Sequence, residues 1–453
     1  MVGGRLTSLV CGDLAGSDPV AVETALRSAT AEAPKLRKTS SHDRALILDR
    51  VAAAIAARPK EIACALAEES GYLSAGDMDF EVTRAIEVLT LTAAHVREGT
   101  TQMLNVDAVD RARGVIGWVR REPIGPVLGI TAYNGPLLIA VHKIAPAIAA
   151  GVPIVIKPSP RVVQAAINLA RMVIGAGWPA AAIAVLDVDN ETTMRLIRDP
   201  RLPVISFTGG AFGWEIKAAV PHKRVHLELG GTGAVFVAAD ANLALAAQEC
   251  AAGGFVRSGQ SCISVQRIYV ERAVHDAFVR LFAGHVAQMQ PGQPRAISPM
   301  VDEAAAMRVE ALIRDAVAKG AQVVCGGQRN GAALAATVLT GATADMTVMR
   351  QEAFGPVVAI SPVDSADEAV AEMNAVSGAI HHGVYTANLD LALRLTDQIR
   401  AAGVIVNGPG TWRVDHMPYG GTGTSGSGRE GVRYAIEEYT EPKSIIIRPS
   451  VPG

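Results

Sequence analysis

The spacing of apolar and polar positions divides the chain into distinct stretches. Residues 18–96 carry heptad-like apolar spacing, as in ILDRVAAAIAARPKEIACALAEE, which predicts a run of helices. Pro59 falls at an expected break, and Ser41 or Asp43 is the expected cap of the helix entering at 42. The stretch GVIGWVRREPIGPVLGIT, within 113–131, clusters β-branched residues and predicts strands around a turn at Pro123–Gly125. From 126 the period switches repeatedly. The runs PVLGIT, PIVIKP, IAVLDV and VISFTG read as strands, with helices expected at 137–150, 161–175 and 190–198. A second series starts near 232: the strand AVFVAA, a helix at 241–256 and the strand QRIYVE. Helices at 273–288 and 302–319 follow, with strands near 321–325, 356–361 and 403–407 and a last strand in TEPKSIIIRPS. Strands alternating with helices imply an α/β chain with two Rossmann-like parallel sheets. Ligands of such sheets sit at the carboxyl ends of the strands. Three chemically unusual segments, YNGP, KPSP and FTGG, fall at those ends.

Composition narrows the class. A chain of 453 residues predicts two or three domains, and 49% hydrophobic residues supply a large core. The net charge of −2 offers no basic field for nucleic acid. The five cysteines, Cys11, Cys64, Cys250, Cys262 and Cys325, fit no zinc spacing, so no metal site is expected. Their odd number fits no closed disulfide set, which favours a reducing, cytoplasmic setting. The first eighteen residues lack a sustained apolar core of the signal-peptide kind. The apolar stretch Leu137 to Ile156 carries His142 and Lys143 in its middle, so it reads as a buried helix and strand rather than a membrane span.

A few residues stand out for their chemistry. Cys262, in FVRSGQSC, sits in a loop behind Gly259, a setting for either a nucleophile or a packed thiol. Glu228, in VHLELGG, lies between apolar residues, where a carboxylate is a general base or a cap for backbone amides. Asn134 follows a strand end and serves either as an oxyanion donor or as turn chemistry. Lys157 ends a strand before Pro158, and FTGG at 207–210 offers backbone amides to a phosphate.

The ordered set of segments resembles the aldehyde dehydrogenase superfamily. YNGP, KPSP, SFTGG, ELGG, GQSC, QEAFGPV and MPYGG followed by SGSGREG match that family's elements in order, over about residues 40–450. The resemblance implies NAD- or NADP-dependent oxidation of an aldehyde. Cys262 would be the nucleophile, Asn134 the oxyanion donor and Glu228 the base that hydrolyses a thioester. Lys157 and Glu352 would hold the cofactor riboses and Phe354 would press near the nicotinamide. Thr131, Phe207, Thr208, Gly209, Gly210, Gly213, Leu229 and Gly230 would line the cofactor site. It also implies a cofactor-binding domain (1–106 and 125–229) and a catalytic domain (230–421). An oligomerisation element (107–124 and 436–453) would make a homodimer or homotetramer.

The sequence also departs from the family's pattern. Gly135 replaces a common Phe, which should widen the pocket. Gly213 comes about one residue early after FTGG. Pro160 stands where NAD users often have Glu, with Arg161 next, so NADP stays open. The N-terminus and the segment 289–300 are short for the family. TWRVDHMPYGG resembles the branch acting on lactaldehyde, phosphonoacetaldehyde, semialdehydes and glyceraldehyde 3-phosphate. Arg413, with Arg84 and Arg257 behind it, is the expected anchor for a small polar or anionic aldehyde. A CoA-acylating enzyme of the same fold typically lacks the glutamate, which is present here. A non-catalytic relative should have lost a member of the Asn134, Glu228, Cys262 set.

Overall fold

The computed structural model describes residues 7–293 and 296–449. The first six residues of the expected cofactor-binding domain and the last four of the expected oligomerisation element lie outside them.

The N-terminal third is helical as its periodicity predicts. Helices span Pro19–Leu36, Ser41–Ala56, Pro59–Ser70 and Ala75–Glu98. Pro59 opens the third helix, where its missing N–H has no intrahelical partner to lose. The cap of the second helix is Ser40, not Ser41 or Asp43. Ser40 has extended backbone angles, so its hydroxyl reaches back to accept from the Asp43 amide at 3.1 Å. Asp43 instead supplies first-turn negative charge.

Two sheets form the body. In the first, strands Arg224–Glu228, Val204–Thr208, Val127–Ile130, Ile154–Lys157 and Ile183–Val185 lie side by side and parallel. In the second, Thr337–Thr340, Val357–Val363, Val265–Glu271, Gly233–Val237, His381–Tyr385 and Gly403–Val406 do the same. Antiparallel strands cover three of the edges: Gly426–Ser427 and the hairpin Ser8–Val10/Asp13–Ala15 on the first sheet, Gln322–Cys325 on the second. The sequence reading did not separate the helix Phe212–Ala219 or the strands Thr337–Thr340 and His381–Tyr385.

A third, antiparallel sheet pairs Thr440–Ile447 with Ile116–Pro123, and the latter with Gln102–Leu104. The expected hairpin at 107–124 thus takes its outer strand from upstream, and 106–112 form two short 3₁₀ turns. Residues 436–439, the start of the expected oligomerisation element, end the helix Val432–Tyr439, and the last strand begins at Thr440 within TEPKSIIIRPS, as expected.

The apolar stretch 137–156 is the buried helix Leu138–Ala150 and the strand Ile154–Lys157. His142 and Lys143 are buried with it, and Lys143 Nζ donates to Ser206 Oγ at 3.1 Å. Among the described residues, no helix is long and apolar enough to cross a membrane. The segment Leu229–Thr232 runs from the last parallel strand of the first sheet to an inner strand of the second, Gly233–Val237. The two sheets therefore meet at Glu228.

Candidate active site

Strand order arranges the first wall. Glu228, Thr208, Thr131 and Lys157 stand at the carboxyl ends of adjacent parallel strands, or one residue beyond. The Thr131 amide donates to the Lys157 carbonyl at 3.1 Å, and the Gly209 amide to the Glu228 carbonyl at 3.0 Å. The early glycine has a packing reason. A Cβ on Gly213 would come within 2.6 Å of Leu229 and 3.1 Å of the Phe207 ring. Gly213 therefore lets the helix Phe212–Ala219 close onto the strand ends. Gly210 faces open space, and Thr208 Oγ1 is buried without a partner. A side chain at Gly230 would overlap the Glu352 carboxylate. An open glycine, an unpaired hydroxyl and a carboxylate together suit the sugar–phosphate body of a dinucleotide.

The second wall is the cysteine loop. Arg257 and Ser258 adopt left-handed backbone angles (φ 51° and 56°), a conformation non-glycine residues rarely hold. This sharp turn throws the loop across the first sheet. There Asn134 Nδ2 donates to the Gln260 carbonyl at 3.0 Å, leaving its second hydrogen free. Arg257 fastens the same junction: it donates to the Asn134 carbonyl and, at 2.9 Å, to Glu81 Oε2. The other oxygen of buried Glu81 caps the helix Leu138–Ala150, accepting from the Leu137 and Leu138 amides at 2.7 and 2.9 Å.

Asn134, Glu228 and Cys262 line one cavity of about 280 Å³. Thr208, Gly209, Gly210, Leu229, Gly230, Glu352, Phe354, Arg84, Arg257 and Arg413 line it too. Lys157, Thr131, Phe207 and Gly213 are not among the residues that line it. Burial pushes the Cys262 thiol up to about 11, against the lowering effect of a 2.8 Å hydrogen bond with the Tyr419 hydroxyl. Burial also raises Glu228, although His226 Nε2 lies 2.9 Å from its Oε1; its Oε2 has no partner. A buried carboxyl with one unpaired oxygen and a raised pKa is a poorly solvated proton acceptor facing the cavity. Glu352 accepts from the Gly231 amide at 3.1 Å, and burial lifts it to about 7. Phe354 holds a left-handed φ of 42° and meets Tyr133 edge-on at 6.2 Å.

The three arginines reach the cavity already paired. Arg84 forks onto Asp415, with Nε to Oδ2 at 3.0 Å, and Arg413 Nη2 donates to Asp415 Oδ1 at 3.0 Å. His142 lies 3.4 Å from both Asp415 and Glu430. Burial alone would raise the Asp415 carboxyl, but His142, Arg84 and Arg413 hold it far below the usual carboxylate range. Glu430 is likewise held down, by His142, Lys143 and Arg413, against its burial. Arg413 Nε stays buried and unpartnered. Arg161 is tied to Asp302 at 2.7 Å.

Sequence reasoning missed Glu81, His226, Asp415, Tyr419 and Glu430. The nearest signal in the sequence is the MPYGG element, which contains Tyr419.

Comparison with known proteins agrees with this geometry. The pattern of the aldehyde dehydrogenase family matches residues 5–445. Aspartate-semialdehyde dehydrogenase 1 of Pseudomonas canavaninivorans is 33% identical, covering 98% of this chain and 94% of its own. The crystal structure of aldehyde dehydrogenase 21 from Physcomitrella patens, in complex with the reaction product succinate, superposes with a TM-score of 0.93. It is 32% identical and covers 99% of this chain and 96% of that one. The NADP complex of the glyceraldehyde-3-phosphate dehydrogenase GapN from Methanocaldococcus jannaschii gives 0.90 at 29% identity, covering 98% of each chain. The chain belongs to the aldehyde dehydrogenase family of NAD(P)-dependent oxidoreductases.

Proposed function

We propose that this enzyme oxidises a small, polar or anionic aldehyde to its carboxylic acid through a thioester on Cys262. The observation that carries this reading is the convergence of a cysteine, an amide donor and a buried carboxylate on one cavity. Cys262 Sγ attacks the carbonyl carbon. Asn134 Nδ2 and the Cys262 backbone amide receive the charge that develops on oxygen. Bound NAD or NADP supplies the hydride acceptor that takes the adduct to the thioester level. Glu228 then takes a proton from water, the hydroxide adds to the thioester carbon, and the acid leaves as the cysteine sulfur is released. Lys157 and Glu352 would hold the cofactor riboses. Thr131, Phe207, Thr208, Gly209, Gly210, Gly213, Leu229 and Gly230 would shape the rest of its bed, and Phe354 would bound it on the nicotinamide side. The partner subunit is a second copy of this chain, in a homodimer or homotetramer.

The substrate class rests on two supports. The cavity is small, and among its lining residues Arg413, at what we take as the substrate end, keeps an unpartnered Nε. Relatives named for a semialdehyde and for a succinate product point the same way. Arg84 and Arg257 back this end while neutralised by Asp415 and Glu81. The test is a panel of aliphatic, aromatic, carboxylated, hydroxylated and phosphorylated aldehydes with NAD or NADP and without CoA. Anionic members should be preferred, and Arg413→Ala should raise their KM by about tenfold or more, the worth of one charged hydrogen bond. Unchanged kinetics of Arg413→Ala on every anionic aldehyde would remove Arg413 from this role.

A further inference from the structure

Tyr419 is the residue of the site that the reading above leaves without work, and its placement is tightly specified. Its backbone is gripped on both sides: the amide donates to the Glu430 carbonyl at 2.9 Å, and the Glu430 amide donates back at 2.6 Å. Its ring is gripped on two faces. The Arg413 guanidinium sits over it, 3.7 Å from the centroid, and His381 meets it edge-on at 5.3 Å. Neither neighbour is loose. Arg413 is pinned by Asp415, and His381 by a 3.0 Å hydrogen bond with the Gly410 carbonyl. Burial holds His381 down to about 4, so it is neutral and donates to that carbonyl through Nδ1. The ring is buried, and its hydroxyl comes to rest 2.8 Å from Cys262 Sγ. A side chain held at backbone and ring by partners that are themselves held has one direction left for its hydroxyl.

We propose that Tyr419 is a catalytic residue whose hydroxyl donates a hydrogen bond to the Cys262 thiolate, with Arg413 polarising the phenol from above its ring. The direction of the bond follows from chemistry. Burial and the adjacent sulfur keep the phenol protonated, so it is the donor once the sulfur is ionised. A guanidinium over the ring draws charge towards the ring face and makes the O–H a stronger donor. The need is specific. Cys262 is surrounded by groups that oppose ionisation: burial, Glu352 and Glu228 all raise it, whereas Tyr419 and Arg413 lower it. No proton is transferred by Tyr419 in this role, and no bond to it is made or broken. It stabilises the nucleophile before attack, whereas Asn134 serves the oxygen after attack. The same arrangement gives Arg413 a task besides substrate binding, because its planar face covers the ring while its Nε remains unpartnered.

The proposal rests on Cys262 as nucleophile, and its test reads the sulfur without needing a substrate. Purified full-length protein is treated with iodoacetamide across a pH series, and alkylation of the Cys262 peptide is followed by mass spectrometry. Tyr419→Phe keeps the ring beneath Arg413 and removes only the hydroxyl. A lost charged hydrogen bond should raise the thiol pKa by about one unit, making alkylation at pH 8 about tenfold slower. Arg413→Met should shift the profile the same way by less. In turnover, Tyr419→Phe should lower kcat and leave KM for the aldehyde nearly unchanged. Superimposable pH profiles for wild type and Tyr419→Phe would overturn the proposal, whatever the turnover shows. An upward shift in a protein that oxidises no aldehyde would keep the hydrogen bond and remove the reading of the reaction instead.

Discussion

At the scale of single residues, Glu352 shows what burying a carboxyl at the cavity costs. It is raised to about 7 by burial, so the folded protein holds a proton there that the unfolded chain releases near 4.5. That contribution to stability is complete below the unfolded value and is lost as pH rises through about 7. Glu352→Gln keeps an acceptor for the Gly231 amide and never ionises. Chemical denaturation of the cofactor-free protein should therefore find it about 1–3 kcal/mol more stable than wild type at pH 8, and nearly equal at pH 4. A gain independent of pH would contradict this reading of the site. Candidate residues were legible where they sat in a contiguous motif: GQSC, ELGG and YNGP carry Cys262, Glu228 and Asn134, which the structure brings to one cavity. The residues around them were not legible, because their partners are remote in sequence. Arg84 and Asp415 are 331 positions apart, Arg257 and Glu81 176, and Cys262 and Tyr419 157. No local period records such pairs.

At the scale of elements, the β-α-β rhythm was legible because short apolar runs and helix-period segments differ in kind. Elements without that contrast were lost. His381–Tyr385 carries two histidines in a fully buried strand, and Phe212–Ala219 is only two turns long. The cap expected at Ser41 or Asp43 is Ser40, a difference that side-chain geometry settles and pattern does not. Asp415 illustrates how elements are joined at the site. It ties Arg84 on the helix Ala75–Glu98 and His142 on the helix Leu138–Ala150 to the segment that carries Arg413. Asp415→Asn removes the buried charge and strands two arginines. A loss of about 3–5 kcal/mol in chemical denaturation is expected, the usual cost of breaking a buried pair from one side. A loss under about 1 kcal/mol would mean the cluster is solvated and not a joint.

At the scale of the whole molecule, two sheets meet at Glu228, and the cavity lies where their loops converge. The third sheet stands apart from this chemistry. Met103, Ile116, Ile446 and Ile447 are exposed on its strands, and Gln102–Leu104 is an edge strand free to pair. The proposed assembly uses this surface. Sedimentation should show a dimer or tetramer, and Met103→Asp with Ile447→Asp should yield a smaller, still folded species; a monomeric wild type would refute it. The proposed reaction turns on one covalent event. The most direct measurement mixes Glu228→Gln enzyme with NAD or NADP and an accepted aldehyde, quenches in acid, and weighs the Cys262 peptide. One reduced cofactor and one acyl group per site are expected, with steady turnover slowed by about 10²–10⁴-fold and nothing formed by Cys262→Ala. Reduced cofactor released by Cys262→Ala at the wild-type rate would contradict the account.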